Sequence, residues 1–150
     1  MASIKQYGQK DKANKPYFFH LLYVMNNLDD LNAKIVGVLH DILEDTDITI
    51  NDLFKYGFSE DIVIAVEILT KSKNQKYMDY IENIKKNYIA TKVKLIDLKH
   101  NMDLTRLSEI SDNDLKRTIK YIKAYKYLME VNIWLLWICL KECSIYDKRI

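Results

Sequence analysis

The segment His40-Asp41-Ile42-Leu43-Glu44-Asp45 sets four ionisable side chains among core-like neighbours, with Val36, Val38 and Leu39 before them and Ile42 and Leu43 between them. Ionisable groups at such positions are costly unless they meet a partner. On a continuous helix His40 and Glu44 fall one turn apart, as do Asp41 and Asp45, which gives a two-by-two patch. One pair can then hold a cation while the other faces a substrate above it. The same spacing recurs at Asp97 and Asn101, again among apolar residues, and His20 stands on the inner face of a separate apolar stretch. Together His20, His40, Asp41 and Asp97 would offer two imidazoles and two carboxylates from three helices to one divalent ion. Mixed nitrogen and oxygen donors suit Mn, Fe, Co or Zn better than Ca or Mg. Helix-borne ligands leave coordination positions open for water and a phosphate oxygen, and the ion makes that water nucleophilic near neutral pH. The chemistry is metal-assisted phosphoester hydrolysis.

Groups so far apart in the chain need rigid elements to bring them together. Three glycines and one proline in 150 residues supply few of the tight turns that sheets require, and 49% hydrophobic residues suffice for one core, so the expectation is an all-α, single-domain helical bundle spanning residues 1–150. Pro16 can open a helix over Tyr17–Leu28 that carries His20. Asp30 or Asn32 can cap a second, running through Ile35 and Ile42 to about Thr46, with the His-Asp segment near its end. Scaffold helices follow at Ile50–Lys55, at Ser59–Thr70 behind a Ser59 cap, and at about Gln75–Lys86. A helix from about Tyr88 to Arg106 carries Asp97 and Asn101. Asp112 or Asn113 then caps a long last helix, about residues 113–143, whose end around Trp134 and Trp137 is apolar enough to point to a homodimer contact.

The remaining composition narrows the partners. Lys and Arg number 23 against 21 Asp and Glu, a net charge of +2 that gives no field for gripping a nucleic-acid duplex, so an anionic partner must be held locally. No run approaches the ~20 apolar residues of a membrane span, and the start of the chain lacks the apolar core of a signal peptide. A cytoplasmic protein is expected. Cys139 and Cys143 read as reduced packing residues. His100 reads as a hydrogen-bonded structural residue, Lys94 and Arg106 could reach a phosphate but fit equally well as solvated basic residues, and Lys71, Lys73 and Lys76 form a basic loop that is solvated or rims a pocket.

Three ordered stretches carry a resemblance. His40 to Asp45 matches a His-Asp-x-x-Glu-Asp signature, Lys12-Ala13-Asn14-Lys15-Pro16-Tyr17-Phe18-Phe19-His20 is similar to a lysine, loop, Pro-Tyr and ligand-histidine motif, and Val93 to Met102 is similar to a stretch bearing the last ligand and an asparagine. Over roughly residues 5–128 the sequence resembles the HD superfamily of metal-dependent phosphohydrolases, most of all the hydrolase domain of RelA/SpoT homologues and small alarmone hydrolases. The resemblance implies an HD-domain helical bundle in which His20, His40, Asp41 and Asp97 bind Mn2+, or another divalent transition metal. It implies that Glu44 and Asp45 handle water and protons, and that Lys12, Tyr17 and Asn101 line a pocket for a small-molecule nucleotide substrate. The implied reaction releases pyrophosphate from the 3′ position of (p)ppGpp. A lone buried histidine is more often a core residue than a ligand, and three motifs in order overturn that prior for His20.

The chain departs from this pattern at three places. Asp11 stands where the family usually has an arginine, Asn14 replaces a loop glycine, and Leu21 replaces a proline. A carboxylate at position 11 repels phosphate and cannot stack on a base as a guanidinium does. That keeps a second substrate class open, a nucleoside monophosphate or the 2′-phosphate of NADPH. A non-catalytic nucleotide-binding module is the third reading, against which stands the Glu44-Asp45 pair that a binder does not need.

Overall fold

The computed structural model describes the backbone of residues 8–146 and the side chains of residues 8–130. Trp134, Trp137, Cys139 and Cys143, and with them the expected dimer contact, lie outside the described side chains. The helices are α1 (Phe18–Asn26), α2 (Leu31–Leu39), α3 (Ile42–Asp45), α4 (Ile50–Lys55), α5 (Glu60–Leu69), α6 (Tyr77–Lys85), α7 (Tyr88–Met102), a 3-10 turn (Leu104–Arg106) and α8 (Asp112–Tyr146). Among the described residues the one strand-like feature is a bridge between Lys10 and Pro16. The all-α expectation holds.

Local chemistry sets most boundaries. Asp30 accepts from the Ala33 N–H at 2.7 Å to start α2, Asn87 accepts from Ala90 to start α7, and Thr49 with Asp52 closes a capping box on α4. Three boundaries and one cap bond differ from expectation. Pro16 pairs with Lys10, and α1 begins two residues later. Ser59 occupies the N-cap position of α5 but makes no side-chain cap bond. Ser111 rather than Asp112 or Asn113 caps α8, its hydroxyl accepting from the Asp114 N–H at 3.3 Å while the Asp114 carboxylate accepts from the Ser111 N–H at 3.1 Å. The helix expected to reach Arg106 stops at Met102, because Asp103 is extended and turns its carboxylate onto Thr105.

The difference that matters most for the site is a break in the second expected helix. His40 ends α2, Asp41 leaves helical geometry at φ −106° and ψ 4°, and α3 resumes for one turn. The two-by-two patch of a continuous helix therefore does not form. His40 turns inward to 1% exposure, while Glu44 and Asp45 face outward on α3 rather than into core positions.

Helix α7 is the hub, packed by α1, α2, α5, α6 and α8. Its buried residues include Ala90, Val93, Leu95, Asp97, Leu98 and His100, which lie around most of its axis, the pattern of a largely enclosed helix that leaves Tyr88 and Lys99 exposed. Helices α1 and α2 meet closely at Gly37, where an added Cβ would come within 2.8 Å of Leu28 Cδ1 and 3.2 Å of Val24 Cγ1. In the loop before α1, Asn14 adopts φ 59°, the left-handed conformation that asparagine tolerates and a glycine would take freely.

The close approach at Gly37 sets the spacing of the helices that carry His20 and His40. Gly37→Ala should cost about 1 kcal/mol of stability, overpacking of ~1–3 kcal/mol being offset by the ~1 kcal/mol gained on replacing a helical glycine, and Gly37→Val should cost more. Urea unfolding midpoints check this, and an unchanged midpoint for the valine variant would contradict so tight a contact between α1 and α2.

Candidate metal centre

Three helices bring three donor atoms to one point. His20 from α1, His40 from the end of α2 and Asp97 from α7 are all buried, and their ligand atoms lie within 4.8 Å of one another. Nε2 of His20 stands 3.3 Å and Nε2 of His40 3.8 Å from Oδ1 of Asp97, and the two Nε2 atoms are 3.4 Å apart. Asp41 joins from the side: its Oδ2 is 2.9 Å from His40 Nε2 and accepts from the Tyr17 hydroxyl. The set that is mutually close is thus His20, His40 and Asp97, with Asp41 reaching it through His40.

The other ring nitrogens decide whether these imidazoles can be ligands. His40 Nδ1 lies 2.8 Å from the Gly37 carbonyl, which can only accept, so Nδ1 keeps a proton, and Nε2, which faces the Asp41 and Asp97 carboxylates, is the atom whose proton a metal would displace. His20 Nδ1 lies 2.7 Å from Nδ1 of His100. A metal needs Nε2 atoms aimed at one point with a carboxylate oxygen beside them, and the three residues supply both.

Electrostatics on every side are strong. Burial works against the charged form of His40, but the adjacent Asp41 and Asp97 outweigh it and lift its pKa to about 10. Burial would likewise raise Asp97, yet the Lys94 ammonium, with His20 and His40, holds its carboxyl well below the usual range. Lys94 Nζ is 2.7 Å from Asp97 Oδ2 and is itself held well above its ordinary value, burial being outweighed by Asp97. Burial and then Asp41 push the Tyr17 phenol up, so it stays a proton donor. Burial, His20 and Arg106 lower His100 to about 4.

Above the centre opens a cavity of about 580 Å3. Its lining includes the carboxylates of Asp41, Glu44, Asp45 and Asp97, the ammonium groups of Lys10, Lys71, Lys94 and Lys120, and the rings of Tyr77, Tyr80 and Tyr121. A second lobe of about 230 Å3, with Lys12, Arg106 and Arg117 on its wall, shares Lys10, Tyr17, Asn101 and Tyr121 with the first. Each candidate site residue of the sequence therefore has a place. Tyr17 and Asn101 stand where the lobes meet, Asn101 donating to Asp97 Oδ1 at 2.5 Å. Lys12 reaches only the smaller lobe, exposed and 3.4 Å from Asp114.

Lys94 and Arg106, which the sequence leaves open between phosphate contact and solvation, are both engaged inside the protein. Lys94 is 14% exposed and ion-paired to Asp97, a contact that their i, i+3 spacing on one helix could have suggested. Arg106 bonds to His100 and pairs with Asp11, 95 residues away, and no local pattern announces that. Lys71 lines the cavity, as a pocket rim would require, whereas Lys73 and Lys76 do not. Lys120 and the three tyrosines carry no signal in the sequence, since along α6 and α8 they occupy ordinary amphipathic positions.

No family model matches the chain. By sequence it is 31% identical over 129 residues to guanosine-3′,5′-bis(diphosphate) 3′-pyrophosphohydrolase of Borreliella burgdorferi, covering 76% of this chain and 19% of that one. It is 36% identical over 111 residues to the protein of the same name from Aquifex aeolicus, covering 68% and 16%. A GTP pyrophosphokinase of Streptomyces coelicolor is 30% identical over 132 residues, covering 79% and 14%. The chain thus spans less than a fifth of the length of these relatives. Among solved structures, one described as a metazoan ortholog of SpoT that hydrolyzes ppGpp superposes with a TM-score of 0.68 at 24% identity, covering 85% of this chain and 80% of that one, and so shares the fold.

The burial of Asp97 and Lys94 can be measured without substrate. Asp97→Ala leaves a buried ammonium unpaired and should cost about 3–5 kcal/mol of stability, part of which Lys94→Met should restore in the double variant. Denaturation curves of the two single variants and the double test this, additive losses being the result that would refute the buried pair.

Proposed function

We propose that this chain, which belongs to the HD superfamily with the hydrolase domains of RelA/SpoT homologues, hydrolyses (p)ppGpp at its 3′ position in a Mn2+-dependent reaction. The observation that carries the proposal is the convergence of His20, His40 and Asp97, the last of which lines a cavity together with four lysines. His20, His40, Asp97 and Asp41 would hold the ion, which when bound supplies Lewis acidity and a nucleophile near neutral pH. The rest of the reaction falls to the chain.

A polyphosphate entering the cavity meets Lys10, Lys71, Lys94 and Lys120. Burial depresses the Lys120 pKa, and Arg117, Lys71 and Lys94 depress it further, so these cations crowd one another and an anion among them relieves the repulsion. The two lobes meeting at Tyr17 and Asn101 suit a nucleotide with phosphates on two arms. Glu44 and Asp45 stand outward on α3 at the cavity wall, where they would take a proton from the attacking water and return it to the 3′ oxygen as its bond to phosphorus breaks. Water adds to phosphorus, the 3′ hydroxyl leaves protonated, and the products are pyrophosphate with GDP from ppGpp or GTP from pppGpp. Tyr17 orients Asp41 through its hydroxyl. Asp11, which as a free carboxylate would repel this substrate, has its charge answered by Arg106.

Purified protein with Mn2+ and ppGpp should release pyrophosphate. Glu44→Ala should lower kcat by about 10²–10⁴-fold, and Lys120→Ala should act chiefly on KM. Release of orthophosphate from nucleoside monophosphates or NADPH, with ppGpp left intact, would move the substrate to the other class. Nucleotide binding without turnover under every divalent ion tried would make the chain a binder.

A further inference from the structure

His100 is buried against the back of His20 and takes no place on the cavity wall. Its ring stacks on Tyr23 at 4.2 Å between centroids, and its Nδ1 sits 2.7 Å from His20 Nδ1 and 2.9 Å from Nη1 of Arg106. A guanidinium donates and never accepts, so Nδ1 of His100 must be bare. Between two facing Nδ1 atoms one must carry the proton, and with His100 excluded it is His20 that donates. The proton on His20 Nδ1 leaves its Nε2 lone pair directed at His40 and Asp97. Arg106 is fixed in turn by a second bond from Nη1 to the His100 carbonyl at 3.1 Å and by its ion pair with Asp11, whose carboxylate is 8% exposed and also accepts from the Lys15 N–H at 2.9 Å.

From this chain of donors and acceptors we infer that Asp11, Arg106 and His100 form a positioning relay that sets the tautomer of His20 and thereby makes its Nε2 a metal ligand. The role rests on the proposed metal centre and adds to it. Histidine ligands usually give their second N–H to a carboxylate or carbonyl. Here a second histidine accepts it, and a distant arginine makes that histidine an acceptor. His100 acts through His20 and touches no reacting atom.

Two measurements test the relay apart from turnover. Long-range proton–nitrogen correlation spectra of the Zn2+-loaded wild type should show a proton on Nδ1 of His20 and none on Nδ1 of His100; the reverse pattern overturns the inference. Calorimetric titration with Mn2+ should show roughly 10- to 100-fold weaker binding for His100→Phe, which keeps the ring stack and loses the acceptor. His100→Gln, whose amide oxygen can accept, should recover most of that loss, and equal affinity for wild type and His100→Phe would refute the relay. Failure of the metal centre itself reads differently, since His20→Ala and His40→Ala would then bind Mn2+ as the wild type does. Should His100→Phe not fold, the tautomer pattern in the wild type still decides.

Discussion

A carboxylate on the most enclosed helix of the molecule is the constraint around which the site is arranged. Asp97 lies on α7, with Val93 and Leu98 of the core close to it along the same helix, and a charge there is tolerated only if every lone pair is answered. Lys94 donates to one oxygen at 2.7 Å, Asn101 donates to the other at 2.5 Å, and the Nε2 atoms of His20 and His40 lie 3.3 Å and 3.8 Å from that second oxygen. Those demands decide which residues of α1 and α2 must face inward, and Gly37 lets the two helices come near enough for them to do so. A metal ion would take over the imidazole side of this arrangement while leaving the Lys94 and Asn101 side in place.

The break between α2 and α3 separates two tasks that a continuous helix would have placed side by side. With Asp41 out of helical geometry, His40 turns into the core while Glu44 and Asp45 swing outward on a single turn. Groups that bind an ion gain from burial, because a dry site strengthens each contact. Groups that exchange protons with water gain from access to it.

The helical class and the order of the elements are legible in the sequence because they depend on residue type and helical period, and the meeting of His20, His40 and Asp97 is legible because three ordered motifs resemble those of the HD superfamily. What is not legible depends on contacts across the fold. Nothing near Arg106 shows that its partner is Asp11, and Lys94 is buried rather than solvated because a lysine's exposure depends on what packs over its helix, here α6 and α8. The α2 break has no local signal, since Asp41 has no glycine or proline beside it. At the break the Tyr17 hydroxyl, from a distant part of the chain, donates to the Asp41 carboxylate. Caps shift by a residue or two where several serine and aspartate candidates stand together, as at Ser111 to Asp114.

Asp11 shows how a single position changes meaning between sequence and structure. As a letter in the motif it is a negative charge where a phosphate should bind. In the fold its carboxylate is nearly buried and faces Arg106, so the pair brings no net charge to the smaller lobe, while Lys12 and Arg117 remain on that wall. The guanidinium that the motif would place at position 11 is present in space after all, contributed from the 3-10 turn beyond α7 and turned toward His100 instead of outward. An arginine committed to three acceptors inside the protein is not free to stack on a base. For the substrate proposed above, the groups placed to meet its base are Tyr17, Tyr121 and Asn101, where the lobes join, rather than the position that the motif would indicate.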